Sequence, residues 1–405
     1  MQKRHGFRGG LESSCNCLCS SYQCACTSWK RFSKSLSGGG GNGGPIPQGV
    51  KDGLNLIFGP VVYTLMSVSA FLVMMVGYRY WTKPKVALGI LLAAALFFVL
   101  AFPDMNFRKI VTKPDNVPIV ALIFVLGFYS WWALRQAAIN DERIGKGLPP
   151  VEATEANDRV LSWPDLIYSE LICSVIFTVV LTVWGVLLNA PLEEPANPGK
   201  TPNPSKAPWY FLGLQEMLVY FDPWIAGVVL PSMIITGLML VPFCDKNPKG
   251  VGYYTLKERP LAVGTFMFGF LILWISLIVM GTFLRGPNWN FFGPFENWDV
   301  HKLATLSNVN LSEYFWVSWL GKALPQNMLV RELPGFIVVA GFLFALPPIL
   351  AFTVCKGLYK HCGFIRYNLV MSHLLVMVGM VLKMVARWVF NLKYVVFMPE
   401  IFFNI

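Results

Sequence analysis

Eight runs of apolar residues, each near the length that crosses a lipid bilayer, set the pattern of this chain. They fall near 55–77, 86–102, 117–134, 170–190, 224–243, 261–284, 334–355 and 367–386. About 20 apolar residues in helical form span the hydrocarbon layer, so these runs predict an all-α, polytopic transmembrane protein of about eight spans. The runs at 86–102 and 117–134 are the shortest. Basic residues gather in alternate connections: Arg79, Lys83 and Lys85; Lys246, Lys249, Lys257 and Arg259; Lys356, Lys360 and Arg366. Short loops rich in Lys and Arg stay cytoplasmic, so this alternation marks one face as the n side. The connections 194–210 and 286–333 then belong to the p side, as does the C-terminus. The N-terminus conflicts with this count. Eight spans would put it on the p side too, yet it carries Lys3, Arg4, Arg8, Lys30, Arg31 and Lys34. Either one early span does not cross or the tail departs from the rule.

Composition agrees with the pattern: 55% of residues are hydrophobic, only 14% are charged, and mean hydropathy is +0.53. Soluble domains carry about a quarter charged residues. The formal net charge of +11 could suggest a nucleic-acid partner. Outside the tail, though, most of that charge sits in short loops beside spans, so no nucleic-acid binding is expected. Residues 1–50 form a tail of different material, read as disordered. Gly38 to Gly44, with Pro45 and Pro47, reads as a flexible linker into the first span. Before it stand Cys15, Cys17, Cys19, Cys24 and Cys26. Their Cys-x-Cys-x-Cys spacing in a serine-rich tract suits a structural zinc site poorly. Nor is there a Cys-x-x-Cys-His for covalent haem. Thiols in a disordered segment, acylated or free, are the simpler reading, a labile metal or redox role is the alternative, and no metal-ligating residues are assigned.

The connection between the fourth and fifth runs is the most specific stretch. It reads Glu194-Pro195-Ala196-Asn197-Pro198-Gly199-Lys200-Thr201-Pro202-Asn203-Pro204-Ser205-Lys206-Ala207-Pro208-Trp209-Tyr210. Non-helical backbone of this kind is tolerated in a membrane protein only where it is buried in protein or meets water. The stretch resembles the quinol-oxidation loop in the C-terminal half of cytochrome b, as found in the separate subunit IV of photosynthetic quinol–plastocyanin reductases. That family reads Glu-Pro-Ala-Asp-Pro, Thr-Pro and Pro-Glu-Trp-Tyr, and this chain aligns with it without a gap. The family glutamate, however, is Pro208 here, and its proline is Ala207. Trp163-Pro164-Asp165-Leu166-Ile167-Tyr168 looks like the start of the first subunit IV helix. Val241-Pro242-Phe243, Asp245, Arg259-Pro260 and Arg285-Gly286-Pro287 continue the likeness. It covers about residues 158–290, roughly a third of the chain. Residues 291–405 are more loosely similar to the C-terminal extensions of bacterial menaquinol–cytochrome c reductase b subunits. The organisation expected is a tail over 1–50, extra N-terminal transmembrane helices over 51–140, a subunit IV-like domain over 141–290, and a p-side segment with C-terminal spans over 291–405.

The resemblance implies a bc-type quinol–cytochrome c oxidoreductase in the bacterial inner membrane, with menaquinol as the expected substrate. It implies a quinone pocket at Ala207, Pro208, Trp209, Tyr210 and Leu212, although interfacial aromatics are also ordinary belt residues. A quinol hydroxyl needs a base within hydrogen-bond reach, and Pro208 has none to offer. A helix starting at Pro208 would turn Trp209 and Glu216 to about 20° of one another. Glu216 is therefore the candidate proton acceptor, the alternative being a solvent-facing carboxylate. Asp165 and Glu170, near the n-side end of their span, are candidate proton-relay groups, since ionisable residues at membrane depth tend to be functional. Glu170 lies deeper. A charged helix start in the headgroup zone is the plainer reading.

Four histidines occur, His5, His301, His361 and His373, and only His373 lies in a span. The family's two b haems each take two axial histidines, so a separate haem-bearing polypeptide, the cytochrome b N-terminal half, is implied. A Rieske iron–sulfur protein, a cytochrome c subunit and a dimeric complex complete the implied partners. The aromatics of 288–298 and 314–319, and Lys383, Arg387 and Lys393, are most simply interfacial, meeting lipid or a partner. Two functions remain: a redox subunit supplying the quinol pocket, or a non-catalytic membrane anchor with a degenerate pocket. Pro208 favours the anchor; the gap-free loop and the register of Glu216 favour the redox subunit.

Overall fold

The computed structural model describes residues 44–405 except 156–159, 189–191, 193–194, 246–248, 250–251 and 305–306. The five tail cysteines, His5, Glu194 and Lys246 lie outside the described residues.

Among the described residues, seven helices are long and apolar enough to cross a membrane, and a bent pair supplies an eighth. The bent pair is α1 (Gln48–Ile57) and α2 (Pro60–Val76), which meet at 76°. The seven are α3 (Pro84–Ala101), α4 (Val117–Gly145), α5 (Ser162–Leu187), α7 (Ile225–Cys244), α8 (Pro260–Leu284), α9 (Leu333–Phe352) and α10 (Lys356–Val389). Between α5 and α7 a shorter helix, α6 (Trp209–Met217), follows the proline-rich loop. The protein is an integral membrane protein. Prolines open α2, α3 and α8 at their first residue, where a missing N–H costs nothing.

Contacts between elements fix how the spans alternate. Tyr63 of α2 donates from its hydroxyl to the Ser276 carbonyl of α8 at 3.1 Å, and one end further on Phe71 packs on Phe268 at 5.7 Å. The residue numbers rise along α2 as they fall along α8, so the two helices are antiparallel. In α1, just before α2, Asn55 accepts from the Phe295 N–H at 3.0 Å. Beyond its end, Tyr78 donates to Asp141, which also takes the Thr255 hydroxyl. The chain therefore has two ends in space. One carries α1, the 101–116 turn, the 195–224 segment and residues 285–304. The other carries 78–83, the end of α4 and 253–260. Residue 48 sits at the same end as residues 285–304, and α2 leads from that end toward the other.

The core runs through α2, α4, α6, α7, α8 and α10, with Tyr63, Phe71, Leu134, Met217, Leu277, Met280 and Met384 among its buried members. Within its most apolar window α8 is 39% buried, whereas α5 is 0% buried among the described residues. α8 is thus the central column, and the surface of α5 is left open for lipid or a partner. The C-terminal residues fold back as a short hairpin, β1 (Phe397–Met398) paired antiparallel with β2 (Phe403–Asn404). Glu332, fully buried, accepts the Phe397 N–H at 2.9 Å and holds that hairpin in place.

Two interfacial expectations are corrected. Phe292 and Phe295 are buried in protein, Phe295 stacking on Phe107 at 5.5 Å. Lys383 and Arg387 are also buried, and Arg387 donates to the Ser307 and Asn391 carbonyls and to Asn308 Oδ1. Both groups read as membrane-facing because composition does not distinguish a headgroup from a carbonyl that a distant loop supplies.

Candidate functional site

Helix α6 begins where the sequence suggests. Pro208, with extended ψ, precedes it, and its carbonyl accepts the Phe211 and Leu212 N–H groups at 2.9 and 3.1 Å. The loop before it is pinned by side chains. Gln215 accepts the Ala207 N–H and donates to the Ser205 carbonyl, both at 2.8 Å, so α6 grips its own entry loop. Asn203 and Asn288 exchange two hydrogen bonds at 2.8 and 2.7 Å, tying the loop to the segment after α8. Asn288 and Trp289 both take positive φ there, a conformation that asparagine tolerates well. Lys206 donates to the Thr282 carbonyl at the end of α8 at 2.9 Å and lies 5.1 Å above the Trp298 ring. Burial, with Lys113 nearby, pushes its pKa down to about 7.

α6 docks on α8 by close approach. Leu212 is buried, and a Cβ added at Gly281 would stand 3.0 Å from Leu212 Cγ. Gly213 meets Ile278 and Leu277 in the same way. The opposite side of α6 is open: Trp209 is 41% exposed, Tyr210 and Phe211 53% each. Trp209 and Tyr210 meet edge to face at 5.8 Å, and Tyr210 packs on Trp274 of α8 at 5.3 Å. Ala207 is half-buried behind them and Pro208 is exposed. Of the five pocket candidates, Pro208, Trp209 and Tyr210 thus line an exposed aromatic edge, while Ala207 and Leu212 support it.

Glu216 is not solvent-facing; it is completely buried. Arg285, itself 2% exposed, donates Nε to Oε2 at 3.0 Å and Nη2 to Oε1 at 2.6 Å, a bidentate pair. Trp289 Nε1 donates to Oε2 at 3.2 Å and the Tyr220 hydroxyl to Oε1 at 3.0 Å. Tyr220 in turn accepts from Trp388 Nε1 of α10 at 3.2 Å. The Arg285 guanidinium also donates to the Trp289 carbonyl and lies 3.9 Å over the Phe291 ring. Burial and the adjacent Glu216 charge drive the Tyr220 hydroxyl well above its ordinary pKa. One buried ion pair therefore knits α6, α8, the 285–292 turn and α10 together.

Asp165 and Glu170 stand elsewhere. Both are exposed on the first turns of α5, where their main-chain carbonyls accept from Ser169 and Ser174. His373 has both ring nitrogens engaged, one with Thr236 at 3.1 Å and one with the Leu369 carbonyl at 2.8 Å. Among the described residues no three His, Cys, Asp or Glu side chains converge as a metal site. Sequence reasoning missed Arg285, Gln215, Tyr220 and Lys206. A signal existed for two of them: Arg285 is a lone cation ending an apolar span, and Tyr220 lies one helical turn from Glu216.

Comparison with known proteins adds a family match over the same segment. Residues 195–295, the loop, α6, α7, α8 and the turn after them, match the family model for cytochrome b(C-terminal)/b6/petD. The resemblance read from the loop is thereby found over this quarter of a membrane-spanning chain. The matched segment starts at Pro195, so α5 and the Trp163–Tyr168 run lie before it. One relative, named as the menaquinol:cytochrome c reductase cytochrome c subunit of Geobacillus thermodenitrificans, is 31% identical over 107 residues. That alignment takes in 25% of this chain and 41% of the relative, so this chain spans well under half of the relative's length. No solved structure matches.

Proposed function

We propose that this chain is a membrane subunit of a bc-type quinol–cytochrome c oxidoreductase, contributing a p-side quinol-oxidation pocket. The observation that supports it most is the family-matched loop leading into α6 with Trp209 and Tyr210 exposed beside Trp274. A flat ring ligand from the bilayer would stack on this edge, with Pro208 exposed at its entry and Leu212 and Ala207 behind it. The relative's name favours menaquinol as the substrate. Oxidation of the quinol to the quinone releases two electrons and two protons. The acceptors, a Rieske centre and a b haem, belong in this reading to partner subunits, the latter to a cytochrome b N-terminal half, with a cytochrome c subunit completing a dimeric complex. The membrane is the bacterial inner membrane, with the C-terminus on the p side, and Asp165 and Glu170 serve as n-side relay groups.

Glu216 has two roles to be separated. As a positioning residue it anchors α6 to Arg285 and so fixes the aromatic edge. As the proton acceptor it must first give up part of a bidentate pair. What favours the acceptor role is its register with Trp209 and the loss of the family glutamate at Pro208. Glu216→Gln keeps the shape and removes the titratable group. A lowered rate with an altered pH profile identifies the acceptor; an unaltered profile with normal quinol affinity leaves positioning alone. Tyr210→Leu tests the pocket itself, and a roughly tenfold rise in KM for quinol with normal haem content is expected. The second reading, an anchor with a degenerate pocket, is favoured by Pro208 and by the closed state of Glu216. Turnover unaffected by both Tyr210→Leu and Trp209→Ala would favour it.

A further inference from the structure

The end of the molecule away from the loop holds a different site. A cavity of about 460 Å³ opens where the 78–83 turn, the end of α4 and the start of α8 meet. Five cations line it: Arg79, Lys83, Arg135, Lys146 and Lys257. Only two carboxylates face them, and both are engaged. Asp141 takes the Tyr78 and Thr255 hydroxyls at 2.5 Å each and the Lys257 main-chain N–H at 3.3 Å. Glu142 takes Lys146 Nζ at 2.6 Å. The side chains of Arg135 and Lys257 have no carboxylate within ion-pair distance among the described residues. An open cavity with an excess of three positive charges calls for an anion.

Its surroundings say which kind. Trp131 donates to the Thr82 carbonyl at 3.1 Å, locking the 78–83 turn against α4. Tyr80, between Arg79 and Lys83 of the lining, and Trp132, one helical turn before Arg135, are exposed, as aromatics are at the level of lipid headgroups. Toward the middle of the spans, Leu88, Leu91 and Leu92 of α3 and Val125 and Phe128 of α4 present apolar side chains. Those faces suit acyl chains, and a free phosphate would make no use of them. We propose that this cavity is a binding site for an anionic glycerophospholipid, its phosphate held by Arg135 and Lys257 with Arg79 and Lys83 beside them. The site is built largely by helices that precede the family-matched segment, and it stands independently of the quinol reading.

The test uses the protein purified in mild detergent, delipidated, and probed with phosphatidylglycerol, phosphatidylcholine or inorganic phosphate by native mass spectrometry and thermal shift. Phosphatidylglycerol is expected to be retained and to raise the transition temperature, while phosphatidylcholine and inorganic phosphate do neither. Each basic group near an anionic lipid contributes roughly fivefold in affinity. Arg135→Gln with Lys257→Gln should therefore weaken phosphatidylglycerol binding about twenty-fivefold, and Lys356→Gln with Lys360→Gln at the basic start of α10 should not. Equal retention of the two lipids by the unaltered protein would overturn the proposal, without recourse to any variant. Equal stabilisation by inorganic phosphate would make this a phosphate site instead, and unchanged binding in the Arg135/Lys257 variant would remove it.

Discussion

Removing Glu216 should strand a buried guanidinium, and the size of that penalty is open to measurement. The carboxylate receives four hydrogen bonds, two from Arg285 and one each from Trp289 and Tyr220. Breaking one partner of a buried pair costs about 3–5 kcal/mol, because the other charge stays out of water unpaired. Here the low end applies. Arg285 would keep the Trp289 carbonyl and its place over the Phe291 ring, which together compensate part of the loss. For a chain of 405 residues, with about 2.1 cal/mol/K of unfolding entropy per residue, about 3 kcal/mol corresponds to a lowering of the thermal midpoint by roughly 3–4 °C. The assay is the thermal transition of the detergent-purified protein by tryptophan fluorescence, for which Trp289 and Trp388 are local reporters. Glu216→Ala should fall by that amount. Glu216→Met with Arg285→Met should recover most of it, since replacing both charges with apolar groups of similar volume leaves nothing stranded. A Glu216→Ala midpoint within about 1 °C of the unaltered protein would refute the reasoning. So would a double variant as unstable as the sum of the singles.

Three further outcomes follow from the geometry. Lys206, with a pKa near 7 in the fold against about 10.5 unfolded, holds fewer protons folded than unfolded between those values, so stability should rise with pH from about 7 toward 10. Lys206→Met should flatten that rise in a series of thermal midpoints from pH 6 to 9, and an unchanged slope would count against the assignment. Gly281→Val should push α6 off α8 at Leu212 and cost about 1–3 kcal/mol. Gly185→Val on α5, where nothing lies within 4 Å, should be silent in the same assay. Glu332→Ala removes the acceptor of the Phe397 N–H, and limited proteolysis should then cut near 397–405 well before the rest of the chain; equal protection would show that Arg331 alone suffices.

The spans were legible because a bilayer leaves few options: some 20 apolar residues in a row must be helix, and prolines punctuate where helices start. The helix at Trp209 was legible for the same reason, as was the register of Glu216 with it. The burial of Glu216 was not, because its partner Arg285 lies 69 residues away and only the packing of α6 on α8 brings them together. Lys383, Arg387 and the aromatics at 292 and 295 read as interfacial because interface and interior use the same residue types. Their partners, Asn308 and Ser307 in a loop and Phe107 in the short helix Met105–Val111, come from segments that no periodicity connects to them. The basic cavity was half visible, since Arg79, Lys83 and Lys257 already stood out as loop charges. Arg135, inside a span-length helix, completes it only in three dimensions.

The central claim is that this chain works as part of a quinol-oxidising complex. It is tested most directly by purifying the tagged full-length chain with its native partners in gentle detergent. The preparation is then read by reduced-minus-oxidised spectra, mass spectrometry of co-purifying subunits and menaquinol–cytochrome c turnover. The account predicts b-type haem, an iron–sulfur partner and inhibitor-sensitive quinol oxidation that falls in Tyr210→Leu. A colourless preparation without such partners, reproduced under milder extraction, would contradict it.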